Sequence, residues 1–152
     1  MTELRDLYQE VILDHGRRPR NFGALPKASH RADGHNPFCG DKVTVFLTVE
    51  GGLVADVRFE GAGCAISIAS ASLMTDAVKG KSEAELRALF DRFQVGMTAK
   101  DDAEAAEALS GLDKLAVFEG VREFPIRVKC ATLPWHTLVA ALDRDNRPVK
   151  TE

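Results

Sequence analysis

Three cysteines and one aspartate are the residues of this chain whose types and spacing could do chemistry. Cys39 and Asp41 stand two positions apart in Asn36-Pro37-Phe38-Cys39-Gly40-Asp41, where proline and glycine mark a turn. Cys64 follows Gly61-Ala62-Gly63, and Cys130 lies in Arg127-Val128-Lys129-Cys130-Ala131-Thr132-Leu133. A thiolate is both a nucleophile and a soft metal ligand, so either use asks for surroundings that favour the deprotonated sulfur. Three sulfurs with one carboxylate form a four-ligand set suited to tetrahedral zinc, or to iron that is also bridged by sulfide. Around a divalent ion that set carries about two net negative charges and calls for cations nearby. Arg127 and Lys129 flank Cys130, and Lys42 follows Asp41.

Other readings of the same residues stand beside this one. A cysteine in apolar sequence is often a small buried residue, and Gly40, Gly61 and Gly63 could serve turns alone. Asp41 could simply open a strand. His35 and His136 lie near Cys39 and Cys130 in sequence and could support the site or exchange as ligands, although a satisfied structural histidine is the commoner role. His15 and His30 read as surface positions. Cys39 and Cys64 are 25 positions apart and Cys64 and Cys130 are 66 apart, so only the fold could gather them.

The elements that must do the gathering are legible in outline. Leu4, Leu7, Tyr8, Val11 and Ile12 recur at helical spacing behind Thr2, predicting a helix over residues 3 to 15 that Gly16 stops. Arg17 to Gly23 is a loop whose arginines form a solvated face or meet an acidic partner. Lys42 to Glu50 alternates apolar and polar residues, Gly51-Gly52 turns, and Leu53 to Glu60 alternates again, which together predict a hairpin. His30 to His35 is a weaker third strand. Ala65 to Lys79 reads as a small-residue helix ended by Gly80, and Ser82-Glu83-Ala84-Glu85 opens another that runs to about Phe93. Residues 100 to 113 suggest a short acidic surface helix. A closing helix follows Cys130 with Pro134 in its first turn, which would place Cys64 and Cys130 at or near helix amino termini.

Composition sets the class. A chain of 152 residues, 45% apolar and 28% charged, has the size of a single domain spanning 1–152 that can fold without disulfides. No apolar run suggests a membrane segment, and the charged start Met1-Thr2-Glu3-Leu4-Arg5-Asp6 lacks a signal-peptide pattern, which points to a cytoplasmic protein. A formal net charge of -3 without a basic stripe argues against nucleic acid as partner.

The three cysteine blocks, taken in order as Asn36 to Asp41, Gly61 to Ser72 and Arg127 to Leu138, resemble those of the IscU/NifU-like iron–sulfur cluster assembly family. Lys129 stands where IscU scaffolds carry a histidine, and the segment around Gly96 to Phe118 is longer than theirs, so the chain looks most like the SufU branch. The resemblance implies an α+β fold, a three-stranded antiparallel sheet packed with helices, with Cys39, Asp41, Cys64 and Cys130 at one end as metal ligands. It implies zinc there, with iron or an iron–sulfur cluster as the alternative. It further implies a SufS-type cysteine desulfurase as partner, Cys130 as acceptor of its persulfide sulfur, Arg127 as a supporting group, and a downstream scaffold or apo-protein as recipient. Phe124-Pro125-Ile126-Arg127-Val128-Lys129 replaces the Leu-Pro-Pro-Val-Lys motif through which IscU-type scaffolds engage a chaperone. Two rival readings use the same residues: a true scaffold on which a cluster is assembled and transferred, and a zinc-stabilised interaction domain with no sulfur chemistry.

Overall fold

The computed structural model describes residues 2–37, 40–144 and 149–150. The chain begins with helix α1, Thr2–Arg17, whose residues Tyr8, Val11 and Ile12 pack on the core as their spacing requires. Strands β1 (His30–Asn36), β2 (Asp41–Glu50) and β3 (Leu53–Ala62) follow as an antiparallel meander. Gly51 and Gly52 have φ of 60° and 78°, the paired positive values that a two-residue hairpin turn demands. The β1–β2 register sets Asn36 opposite Asp41, and the Gly40 amide donates to the Asn36 carbonyl at 2.9 Å. In the chain, Phe38 and Cys39 fall between β1 and β2 and lie outside the described residues. A two-residue strand β4, Val149–Lys150, adds to β1 in parallel, giving the order β3-β2-β1-β4.

Helices pack on one face of this sheet. Helix α2 (Ala65–Val78) is built of small residues, so it lies close against its neighbours, and Met74 is wholly buried. Helix α3 runs from Glu83 to Thr98, longer than its sequence suggested because Phe93 and Met97 extend its buried stripe. A complete capping box opens it, with Ser82 Oγ accepting the Glu85 amide and Glu85 Oε1 accepting the Ser82 amide. Helix α4 (Asp102–Leu109), capped by Asp101, is the expected short acidic helix, and a 3₁₀ run spans Asp113–Glu123. Helix α5, Pro125–Leu142, crosses β1 so closely that a Cβ on Gly34 would strike the Thr137 hydroxyl. Trp135 stacks on Phe93 with ring centroids 4.8 Å apart, and Phe93 meets Phe118 edge-on at 5.9 Å. Fully burying side chains of this size contributes about 1.5–3 kcal/mol each, so this aromatic cluster holds α3, the 3₁₀ run and α5 together.

Helix α5 departs from its expected start. It begins with Pro125 at the first helical position, where a missing N–H costs nothing, and not after Cys130. Pro134 therefore lies in the helix interior, and it has no N–H to offer the Cys130 carbonyl four residues back. Cys130 sits more than a turn inside the helix and away from its amino terminus. Among the described residues, no helix is long and apolar enough to cross a membrane.

Candidate metal centre

Alternation along β2 turns Asp41, Val43, Val45 and Leu47 toward the helices, and Asp41, the first residue of the strand, is 0% exposed. A carboxylate buried to that degree requires partners. Its Oδ1 accepts the Cys64 amide at 2.8 Å, and its Oδ2 takes the Cys64 thiol at 3.6 Å. Gly63, with φ of 153°, permits this approach, since a Cβ there would lie 2.8 Å from the Asp41 Cγ. Gly61 is equally constrained, because its Cβ would fall 2.5 Å from the Lys42 carbonyl oxygen. The glycines around Cys64 thus admit the strand that carries Asp41.

Cys64 is the N-cap of α2 and contributes no capping hydrogen bond through its side chain. Its sulfur stands at the amino end of that helix, beside the Asp41 carboxylate. Cys130 arrives from α5, with its thiol 3.7 Å from the Ile126 carbonyl oxygen. Asp41, Cys64 and Cys130 each bring a ligand atom to within 4.8 Å of the other two. A tetrahedral zinc with sulfur at about 2.3 Å and oxygen at about 2.1 Å needs ligand atoms roughly 3.5–3.8 Å apart, so the three donors fit with small adjustment. The fourth expected ligand, Cys39, lies outside the described residues. Cys64 is partly exposed, whereas Cys130 is 1% exposed.

The remaining candidate residues separate. Arg127 is exposed in the first turn of α5, and Lys129 is partly buried beside Cys130. Arg127 lines an open groove of about 990 Å³ together with Tyr8, Ile12, Ile66, Val121 and Phe124. Phe124 and Ile126 are 57% and 66% exposed, which leaves an apolar rim at the approach to Cys130. His136 faces α3, where its ring meets Phe90 edge-on at 5.3 Å and burial lowers its pKa. His35 pairs with Lys42 across the sheet and lines its outer surface with Asp33 and Thr44. His136 thus takes the structural reading, while His35 lies on the sheet surface away from the helices. His15 reverses its expected surface position: it is 3% exposed, because it continues the Val11 and Ile12 face of α1 toward α2. Nor do Arg18 and Arg20 await an acidic partner, since both pair with Asp14 and hold its pKa down to about 2, the Arg20 hydrogen bond having the larger effect.

Residues 7–131 match the sequence profile of the NifU-like N-terminal domain. The chain belongs to that family. It is 41% identical over 137 residues to the zinc-dependent sulfurtransferase SufU of Bacillus subtilis, covering 90% of each chain. It is 37% identical over 144 residues to the iron–sulfur cluster assembly scaffold protein IscU of Streptococcus pyogenes, covering 95% of this chain and 87% of that one. Among solved structures, a candidate assembly scaffold of the SUF system from Fervidobacterium islandicum superposes with a TM-score of 0.74 at 33% identity, covering 88% of this chain and 94% of that one. This places the chain in the IscU/SufU group of iron–sulfur cluster assembly proteins and agrees with the antiparallel sheet packed with helices.

Proposed function

We propose that this protein is a zinc-bound sulfur acceptor of the SufU type, which takes persulfide sulfur from a cysteine desulfurase and passes it on for cluster assembly. The observation that carries the reading is the meeting of Asp41, Cys64 and Cys130 from three separate elements at one end of the sheet. These residues, with Cys39 as the expected fourth, would hold the ion. When bound, zinc keeps its cysteine ligands as thiolates near neutral pH.

In the proposed step, the Cys130 thiolate attacks the outer sulfur of the partner's persulfide. The partner's S–S bond breaks, a new S–S bond forms on Cys130, and the partner leaves as a thiolate, so no external oxidant or reductant is consumed. Arg127 lies along the approach and offers a cation to the incoming anionic sulfur, while the apolar rim of Phe124 and Ile126 provides contact area for a partner. Because Cys130 is buried, its sulfur becomes reachable only when the first turn of α5, whose Ile126 carbonyl meets the thiol, yields on docking. Chaperone-assisted release through the IscU motif is not part of this reading, since Phe124 to Lys129 stands in that motif's place.

The similarity to IscU supports a second reading, in which the same four residues hold a cluster as it is assembled. Metal analysis of the purified protein, paired with desulfurase turnover in its presence and absence, tests both. Zinc near one equivalent, a colourless protein and accelerated turnover support the sulfur acceptor. Visible absorption that persists after anaerobic reconstitution, with no acceleration, supports the scaffold. The Cys130→Ser variant is expected to keep its fold and lose sulfur uptake by mass spectrometry, and full uptake by that variant rules the acceptor role out.

A further inference from the structure

A second buried polar cluster lies away from the sulfurs, where α1 ends. His15 Nδ1 is 2.6 Å from Ser72 Oγ in α2, and the Arg20 backbone amide donates to the same oxygen at 2.8 Å. That amide can only donate and occupies one lone pair of the Ser72 oxygen, so the contact with His15 is made either by the Ser72 hydroxyl donating to Nδ1 or by an Nδ1–H donating to the second lone pair. We assign the first arrangement, with the His15 proton on Nε2. Asn21, held at φ of 57°, extends the tie by donating to Thr75 Oγ1 at 3.0 Å and Asp76 Oδ1 at 2.9 Å. The end of α1 and its following turn are thereby fastened to successive positions along α2. Independently, Gly16 lets α1 approach the beginning of α2: a Cβ on Gly16 would lie 3.2 Å from the Ala65 Cβ. Gly16 thus serves close packing inside α1 instead of ending the helix, which continues to Arg17. Ala65 is the residue after Cys64.

We propose that His15, acting through Ser72, is a positioning residue for Cys64, and that its neutral form holds α2 at the setting the metal site requires. The inference rests on the reading of Cys64 as a zinc ligand. Metal–ligand distances tolerate only about ±0.2 Å, so a small slide of α2, too small to disturb the core, is enough to spoil the site. Protonation reverses the sense of the knot, because Nδ1 then donates and the Ser72 hydroxyl must turn its hydrogen away from His15 to accept. The charged groups facing His15 are Asp14 and Arg20 from its own segment, Asp76 from α2 and Lys114 from the 3₁₀ run. Burial, followed by Arg20, lowers the His15 pKa, so the neutral ring prevails at neutral pH.

The test compares wild type, His15→Ala and His15→Asn. Zn²⁺ affinity is measured by chelator competition at about pH 7.5 and about pH 6, either side of the ordinary histidine range, and the visible spectrum of the Co²⁺-loaded protein is recorded. Loss of His15 in the Ala variant is expected to weaken Zn²⁺ binding about tenfold or more and to shift the Co²⁺ bands. Asparagine, which can accept from Ser72 but does not titrate, is expected to restore affinity near neutrality and to lose less of it at the lower pH than wild type. Unchanged Zn²⁺ affinity and Co²⁺ spectrum in a folded His15→Ala variant overturn the proposal, as does an identical pH dependence in wild type and His15→Asn. Should the Ala variant fail to fold, Ser72→Ala, expected to show the same loss, decides in its place. A wild-type chain that binds neither ion overturns the zinc reading itself, an outcome distinct from a loss confined to the variants.

Discussion

Gly63 is the residue where chemistry and backbone meet most tightly. Its φ of 153° and the Asp41 carboxylate in its path leave no space for a side chain. Gly63→Ala must displace either Asp41, which is buried and bonded to the Cys64 amide, or the amino end of α2. It is expected to destabilise the protein by about 1–3 kcal/mol and to weaken Zn²⁺ binding at least tenfold, measured by urea denaturation and chelator competition. A variant that retained full affinity would show that Asp41 is not held to the site by this contact. In sequence the Gly-Ala-Gly-Cys pattern was compatible with a turn alone, and the obstacle that demands glycine was not legible, because Asp41 lies 22 positions earlier in the chain.

At the scale of elements, the stretch from Gly96 to Phe118 is fastened by Arg122. Its guanidinium donates to the Gly96 carbonyl at 2.8 Å, the Ala99 carbonyl at 2.6 Å and Asp102 Oδ1 at 3.1 Å, tying the 3₁₀ run to the end of α3 and the start of α4. The bond to Asp102 is worth little, since that carboxylate is 98% exposed, whereas the two carbonyls are terminal groups of α3 left without helical partners. Arg122→Ala is expected to cost about 1–3 kcal/mol and to speed amide exchange in α4 while leaving the sheet protected. Uniform exchange across the protein would place Arg122 in the global fold instead. The same scale explains the misread start of α5. Two prolines, Pro125 and Pro134, could each open a helix, and local pattern favoured the one after Cys130; tertiary burial of Pro134 lets the helix run through it.

Across the whole molecule, the buried histidines set a pH dependence. Burial lowers the pKa of His136 and of His15 below the unfolded value of about 6.5. As pH falls through that value, the unfolded chain takes up protons before the folded one, so stability is full above it, declines toward the lower folded values and levels off beneath them. The metal-free protein is expected to have a lower urea midpoint at about pH 5.5 than at about pH 7.5, and His136→Phe, which keeps an aromatic ring against Phe90, to shrink the difference. An equal drop in that variant would assign the effect to other groups.

The sequence by itself determined the ingredients: the hairpin, the capped helices and the ligand types, because each follows from local periodicity, turn chemistry or the identity of a side chain. Three cysteine blocks in order also carried the family resemblance. Only the tertiary structure decided that Asp41, Cys64 and Cys130 meet, that Cys130 is buried within α5, that His136 and His35 face elsewhere, and that His15 turns inward to Ser72. Those outcomes depend on how α1, α2, α5 and the sheet are packed. Contacts between residues tens of positions apart are set by the total burial of apolar area, which no short window of sequence contains.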